Sequence, residues 1–136
     1  MKAGQVLETV LYADDLEAAE EFYSNVLGLK AVSRKRGRQV FFRCGDAMLL
    51  IFNPSATSVS PANDQLPVPV HGAKGSGHLC FSASGDEIDV WIEKLTASGV
   101  EIESDFEWPQ GGRSVYFRDP AGNSIEFAEP KIWGFV

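Results

Sequence analysis

The sequence predicts an α+β fold in which two βαβββ modules contribute to one curved, eight-stranded mixed sheet shaped as a cup. Two observations carry this. A strand, a helix and three further strands recur across the 136 residues, and the halves match when laid side by side. The strand holding Glu8 matches the strand holding His78, and Arg38-Gln39-Val40-Phe41-Phe42-Arg43 matches Arg113-Ser114-Val115-Tyr116-Phe117-Arg118. Each half alone is a sheet with one helix-covered face and one open face, so modules placed edge to edge enclose a concave surface pointing away from both helices.

Each element follows from its own pattern. Residues 6–12 alternate, with Leu7, Thr9 and Leu11 on one face and Glu8, Val10 and Tyr12 on the other, which predicts the first strand. Asp14 with Glu17 reads as a capping box, and Leu16, Ala19, Phe22, Tyr23, Val26 and Leu27 keep helical spacing up to Gly28, a left-handed cap. Strands at 29–33, 39–43 and 47–53 follow, with Gly37 at the tip of a basic, solvated hairpin loop. Residues 54–76 are rich in proline and glycine and lack periodicity, which marks a module boundary and a lid.

The second half begins with a strand at 77–82, where His78, Cys80 and Ser82 share a face. Ser84 and Glu87 form another capping box ahead of the stripe Ile88, Trp91, Ile92 and Leu95, and Gly99 caps that helix. A short strand at 100–104, a turn-rich connection at 107–112 and a hairpin at 113–127, turning at Asp119 to Asn123, complete the repeat. The expected organisation is a single domain: module one 5–53, linker or lid 54–76, module two 77–130 and a tail 131–136.

Composition narrows the function. With 19 acidic against 12 basic residues, a net charge of -7 repels nucleic acid and anionic lipid, which leaves a small molecule as the expected partner. No secretory pattern opens the chain, no stretch reaches membrane-spanning length, and two isolated cysteines, Cys44 and Cys80, suit a reducing compartment. A cytoplasmic protein is expected.

The open face carries the chemistry. Glu8, His78 and Glu126 interrupt otherwise apolar strands and project into the cup. One imidazole nitrogen and two carboxylates suit divalent Zn, Mn, Fe, Co or Ni, and burying two such acids without a cation costs several kcal/mol or forces protonation. Each has a plainer reading: Glu126 as an outward strand residue, His78 as a hydrogen-bonded core histidine, Glu8 as a base or a satisfied acid. Cys80, beside His78, reads as a packed thiol.

These motifs, Leu7 to Leu11 with Asp15-Leu16, Phe22-Tyr23 and Val26 to Leu29, then Gly77-His78, then Tyr116 to Phe127, resemble the vicinal oxygen chelate superfamily. That superfamily holds glyoxalase I, extradiol dioxygenases, methylmalonyl-CoA epimerase, fosfomycin-resistance enzymes and bleomycin-binding proteins. The resemblance covers nearly the whole chain and implies the glyoxalase-like cup, with Glu8, His78 and Glu126 at metal-ligand positions. Two positions depart from the glyoxalase pattern: Glu8 stands where relatives often carry His or Gln, and the fourth position falls near Leu50, amid apolar neighbours. A three-ligand site with open positions is therefore the expected form.

Around it, Arg113 and Tyr116 are candidates for holding a substrate carboxylate, phosphonate or enolate oxygen, with a rim role for Tyr116 as the alternative. Phe41 and Trp108 are candidate apolar walls, or simple packing. The resemblance implies a metal-dependent isomerase or lyase acting on neighbouring substrate oxygens, with Glu8 or Glu126 moving a proton. Thiol or water addition to an epoxide is the next reading, and metal-free sequestration of a drug or metabolite is the alternative. Iron-dependent ring cleavage is disfavoured because those relatives use two histidines. A homodimer is expected.

Overall fold

The computed structural model describes the whole chain, Met1–Val136, which divides into two compact units, Met1–Gly75 and Ser76–Val136. All eight expected strands are present, four in each of two mixed sheets.

In the first unit, β1 (Glu8–Tyr12) is followed by α1 (Leu16–Glu21), which runs on as a π-helical turn through Phe22–Val26. Then come β2 (Lys30–Lys35), β3 (Gln39–Cys44), β4 (Ala47–Phe52) and the single turn α2 (Pro54–Thr57). The sheet order is β1-β4-β3-β2, with β1 parallel to β4 and the other pairs antiparallel. Ala19, Phe22, Tyr23 and Leu27 are buried with Leu11, Val40, Phe42, Leu49 and Ile51, one side of every central strand. Tyr23 and Phe42 carry that packing, their ring centroids 5.6 Å apart.

Two local expectations shift. Asp15, not Asp14, caps α1, its carboxylate accepting the Ala18 N–H at 3.0 Å. With the cap one residue later, the third helical position is Ala18 and no capping box forms. The segment after β4 is also less open than its composition suggests. Asn53 caps α2, the His71 N–H donates to the Thr57 carbonyl, and the His71 ring lies against Phe52.

The second unit runs β5 (His78–Ser82), α3 (Gly85–Ala97), β6 (Ser104–Glu107), β7 (Arg113–Arg118) and β8 (Ser124–Ala128), ordered β5-β8-β7-β6. The Ser84–Glu87 capping box forms with both bonds, and Gly28 and Gly99 take the left-handed conformations expected of helix ends. Ile88 and Leu95 of α3 are buried, as are Val115, Phe117, Ile125 and Phe127 of the sheet. Trp91 stacks on Phe127 at 4.6 Å.

The strand expected at 100–104 lies later, at Ser104–Glu107, because the Val100 N–H is spent on the Leu95 carbonyl in closing α3. Pairing begins only where the Glu103 N–H reaches the Tyr116 carbonyl.

The turn between β7 and β8 fixes the end of the sheet that bears His78. Asp119 is buried, and its Oδ1 accepts the N–H groups of Ala121 and Asn123 at 3.0 and 2.8 Å. Asn123, fully enclosed, donates from Nδ2 to Asp119 Oδ2 and accepts the Gly77 N–H at Oδ1, 2.8 Å away. The turn thereby holds the residue just before His78.

Asn123→Ala leaves the Gly77 N–H without this acceptor and is expected to cost about 1–3 kcal/mol in urea unfolding. Arg113, clamped by Asp105 and Asp89, gives a second expectation. Its guanidinium holds the Asp105 carboxyl below the usual aspartate range, so that stabilisation is present at neutral pH and fades as pH falls through the depressed value. Arg113→Met is expected to lose about 1 kcal/mol or less at pH 7, given solvent screening, and to match the parent protein in strong acid. Paired urea titrations at the two pH values measure this.

Candidate functional site

Strand register places the predicted residues of module two on one face. Cys80 stands opposite Glu126 and Glu126 opposite Tyr116, so the three form a row across β5, β8 and β7. Facing away from α3, this row is the open side of the sheet. His78, two residues before Cys80, shares the face.

Glu126 is 5% exposed although it carries a carboxylate. Its Oε2 lies 3.2 Å from His78 Nε2, and its Oε1 is buried with no hydrogen-bond partner. On the other side of the imidazole, Nδ1 lies 2.9 Å from the Ser124 carbonyl oxygen. A carbonyl only accepts, so Nδ1 carries a proton, and a neutral ring then turns the lone pair of Nε2 toward a carboxylate. Two acceptors facing each other in this way call for a cation between them, either a proton on Nε2 or a metal ion.

The pair fits a metal. Their 3.2 Å separation is one that two ligands of a single ion can have. Backbone acceptance of the other imidazole N–H is the usual way a metal-binding histidine is oriented. The orphaned Oε1 is the second mark, since a buried acceptor left unpaired costs about 1–3 kcal/mol.

The surroundings of Glu126 respond to its charge. Burial, then the adjoining carboxylate, pushes the Cys80 thiol up to about 12. The Tyr116 phenol is raised by burial and by Glu126 as well. Cys80 is therefore a thiol rather than a thiolate at neutral pH, although the residue is exposed and not packed away as expected.

Tyr116 lies in an aromatic stack. His78 is parallel to it at 6.2 Å on one side and Phe106 at 5.9 Å on the other, and Trp108 meets Phe106 edge to face at 4.9 Å. Trp108 is anchored by donation from its indole N–H to Ser114 Oγ at 2.8 Å. Phe106 was not among the sequence candidates. The alternation in Ser104-Asp105-Phe106-Glu107 was its signal, hidden by placing the strand too early.

Arg113 goes elsewhere. It shares parity with Val115 and Phe117, the helix-covered side, and its guanidinium is held by Asp105 and Asp89 at 2.7–2.9 Å. The structure does not bring it to Glu126 and Tyr116.

In module one, Glu8 opens β1 on the side away from α1, exposed and in register with Met48. Phe41 stands opposite Leu50, and Leu50 opposite Val10, the row that corresponds to Tyr116, Glu126 and Cys80. Leu50 thus occupies the position of Glu126, where the resemblance put the fourth position, and is buried and apolar. Within neither unit are three or more His, Cys, Asp or Glu side chains grouped for a metal ion.

In chelator-treated protein lacking Cys44, Glu126→Gln is expected to lower the Cys80 thiol from about 12 and speed its alkylation by iodoacetamide at mildly alkaline pH. Desolvation remains, so the fall is partial. Mass spectrometry of the time course checks it.

Comparison with known proteins agrees with this architecture. The family model described as Glyoxalase/Bleomycin resistance protein/Dioxygenase superfamily matches residues 5–127. The solved structure of a lactoylglutathione lyase from Agrobacterium tumefaciens is 48% identical, covers 99% of this chain and 100% of its own, and superposes with a TM-score of 0.94. A virulence protein of Salmonella typhimurium is 31% identical over 88% of this chain and 80% of its own length. A lactoylglutathione lyase of Haemophilus influenzae is 26% identical over 93% of each. The chain belongs to the Glyoxalase/Bleomycin resistance protein/Dioxygenase superfamily, within which it is similar to lactoylglutathione lyases.

Proposed function

We propose that the protein is a divalent-metal-dependent isomerase or lyase acting on a small substrate with neighbouring oxygens, with Glu8, His78 and Glu126 as the metal ligands. The observation that supports it most is the His78–Glu126 pair, whose Nε2 and Oε2 face each other at 3.2 Å while Oε1 is buried and unpartnered. A divalent ion held there would supply Lewis-acid polarisation of the substrate oxygens.

The chain's own residues do the rest. Glu8 or Glu126, on loosening from the ion, accepts a proton from one substrate carbon and returns it to the next, as a carboxylate at the reacting atoms can do in both directions. Tyr116, whose phenol stays protonated at neutral pH, donates a hydrogen bond to a substrate oxygen. Trp108 and Phe106 wall the open face of module two on one side, and Phe41 does so in module one. Arg113 enters the substrate contacts only by giving up Asp89 or Asp105. Residues 54–76 act as a linker or lid, and the protein works as a cytoplasmic homodimer. No helix is long and apolar enough to cross a membrane.

Elemental analysis of protein purified without added metal is expected to find a stoichiometric divalent ion. Glu126→Ala is expected to abolish its retention while leaving the far-ultraviolet circular dichroism unchanged. Loaded protein should then turn over a member of a panel of vicinal-dioxygen compounds that includes lactoylglutathione, the compound in the names of the Agrobacterium and Haemophilus relatives. No bound metal, with no affinity for added Mn or Zn, would sink this reading in favour of a metal-free binding protein.

A further inference from the structure

Away from the His78–Glu126 pair, module one gathers polar donors around a single ring. Arg38 lies over Phe52 with its Cζ 5.8 Å from the centroid, and His71 meets the same ring edge to face at 4.9 Å. Phe41 packs against it at 5.2 Å, and Tyr12 reaches His71.

Arg38 is unlike its paired neighbours. Arg34, Arg113 and Arg118 each take a carboxylate, in a chain with 19 acidic residues. Arg38 is half-buried, yet has no carboxylate partner: its Nη1 donates over 3.4 Å to the Ala56 carbonyl, and the Phe52 ring does the rest. A guanidinium has five N–H donors, so most of this one's capacity is uncommitted.

His71 adds a second donor. Its Nδ1 lies 2.6 Å from the Tyr12 hydroxyl oxygen. With the phenol as the donor to Nδ1, the ring proton sits on Nε2 as an N–H. The backbone N–H of His71 is tied to Thr57, which holds the ring over Phe52. In that tautomer a cation and a neutral donor rest on one aromatic ring, a combination that suits planar or tetrahedral oxyanions.

We infer that Arg38 and His71 form a binding site for an oxyanion, a carboxylate or phosphate group carried by a small molecule, seated against the Phe52 ring. The site needs no metal, so its test and that of the metal-dependent reading succeed or fail separately.

The test is NMR titration of the isotopically labelled full chain, metal-stripped and at constant ionic strength, with acetate and with inorganic phosphate. The Arg38 Nε–H and His71 ring resonances should shift saturably with at least one of the two, and which binds more tightly names the anion class. Arg38→Met should weaken binding by at least about tenfold. Arg38→Lys, which keeps the charge and loses the fork, should weaken it less. Arg36→Met, on the exposed hairpin loop, should leave it unchanged. Shifts that grow linearly without saturation, an unaffected Arg38→Met protein, or an equal loss in Arg36→Met would each overturn the proposal.

Discussion

The open face of module two depends on one buried amide. Asn123 Oδ1 takes the Gly77 N–H, and the Ser124 N–H takes the Gly77 carbonyl, so β5 enters the sheet parallel to β8 with its register set at the first residue. That register puts Cys80 beside Glu126 and lets the His78 ring reach both the Ser124 carbonyl and the Glu126 carboxylate. A slip of one residue would turn His78 and Cys80 to the α3 side and bring Leu79 to the open face. Asp119 supports the amide from behind by accepting two backbone N–H groups of the turn.

The two modules show how one scaffold can hold different chemistry. The row Val10, Leu50 and Phe41 in module one and the row Cys80, Glu126 and Tyr116 in module two have the same register. The first is apolar, and beside it Phe41 and the His71 ring both pack on Phe52. The second puts a carboxylate at its centre, between a thiol and a phenol that burial first, and then its charge, holds to the protonated form. Burying such a group is unfavourable unless something compensates its charge, which gives the orphaned Oε1 its significance. Membership of the superfamily fits that division, since its description spans glyoxalases, bleomycin resistance proteins and dioxygenases.

Much of the fold was legible because its signals are local. Alternation in the strands, the Ser84–Glu87 box and the glycines after each helix all concern residues within one turn or one strand pair. The errors were local too: Asp14 and Asp15 compete for the same cap, and the last turn of α3 consumed residues that also alternate like a strand. Face assignments for His78, Glu126 and Tyr116 followed from parity, and the strand register puts all three on that face.

Side-chain partners were another matter. Arg113 looked as available as Tyr116 until the fold set Asp89 of α3 and Asp105 of β6 beside it, 24 and 8 residues away in sequence. Arg38 looked like a solvated loop residue until the chain turned its guanidinium over Phe52. The sequence by itself determined the duplicated α+β scaffold and which face each strand residue takes, because backbone geometry dictates periodicity. Only the tertiary structure decided which charges are paired and which are not, because ion pairs and hydrogen bonds act over a few ångströms between residues that periodicity does not relate.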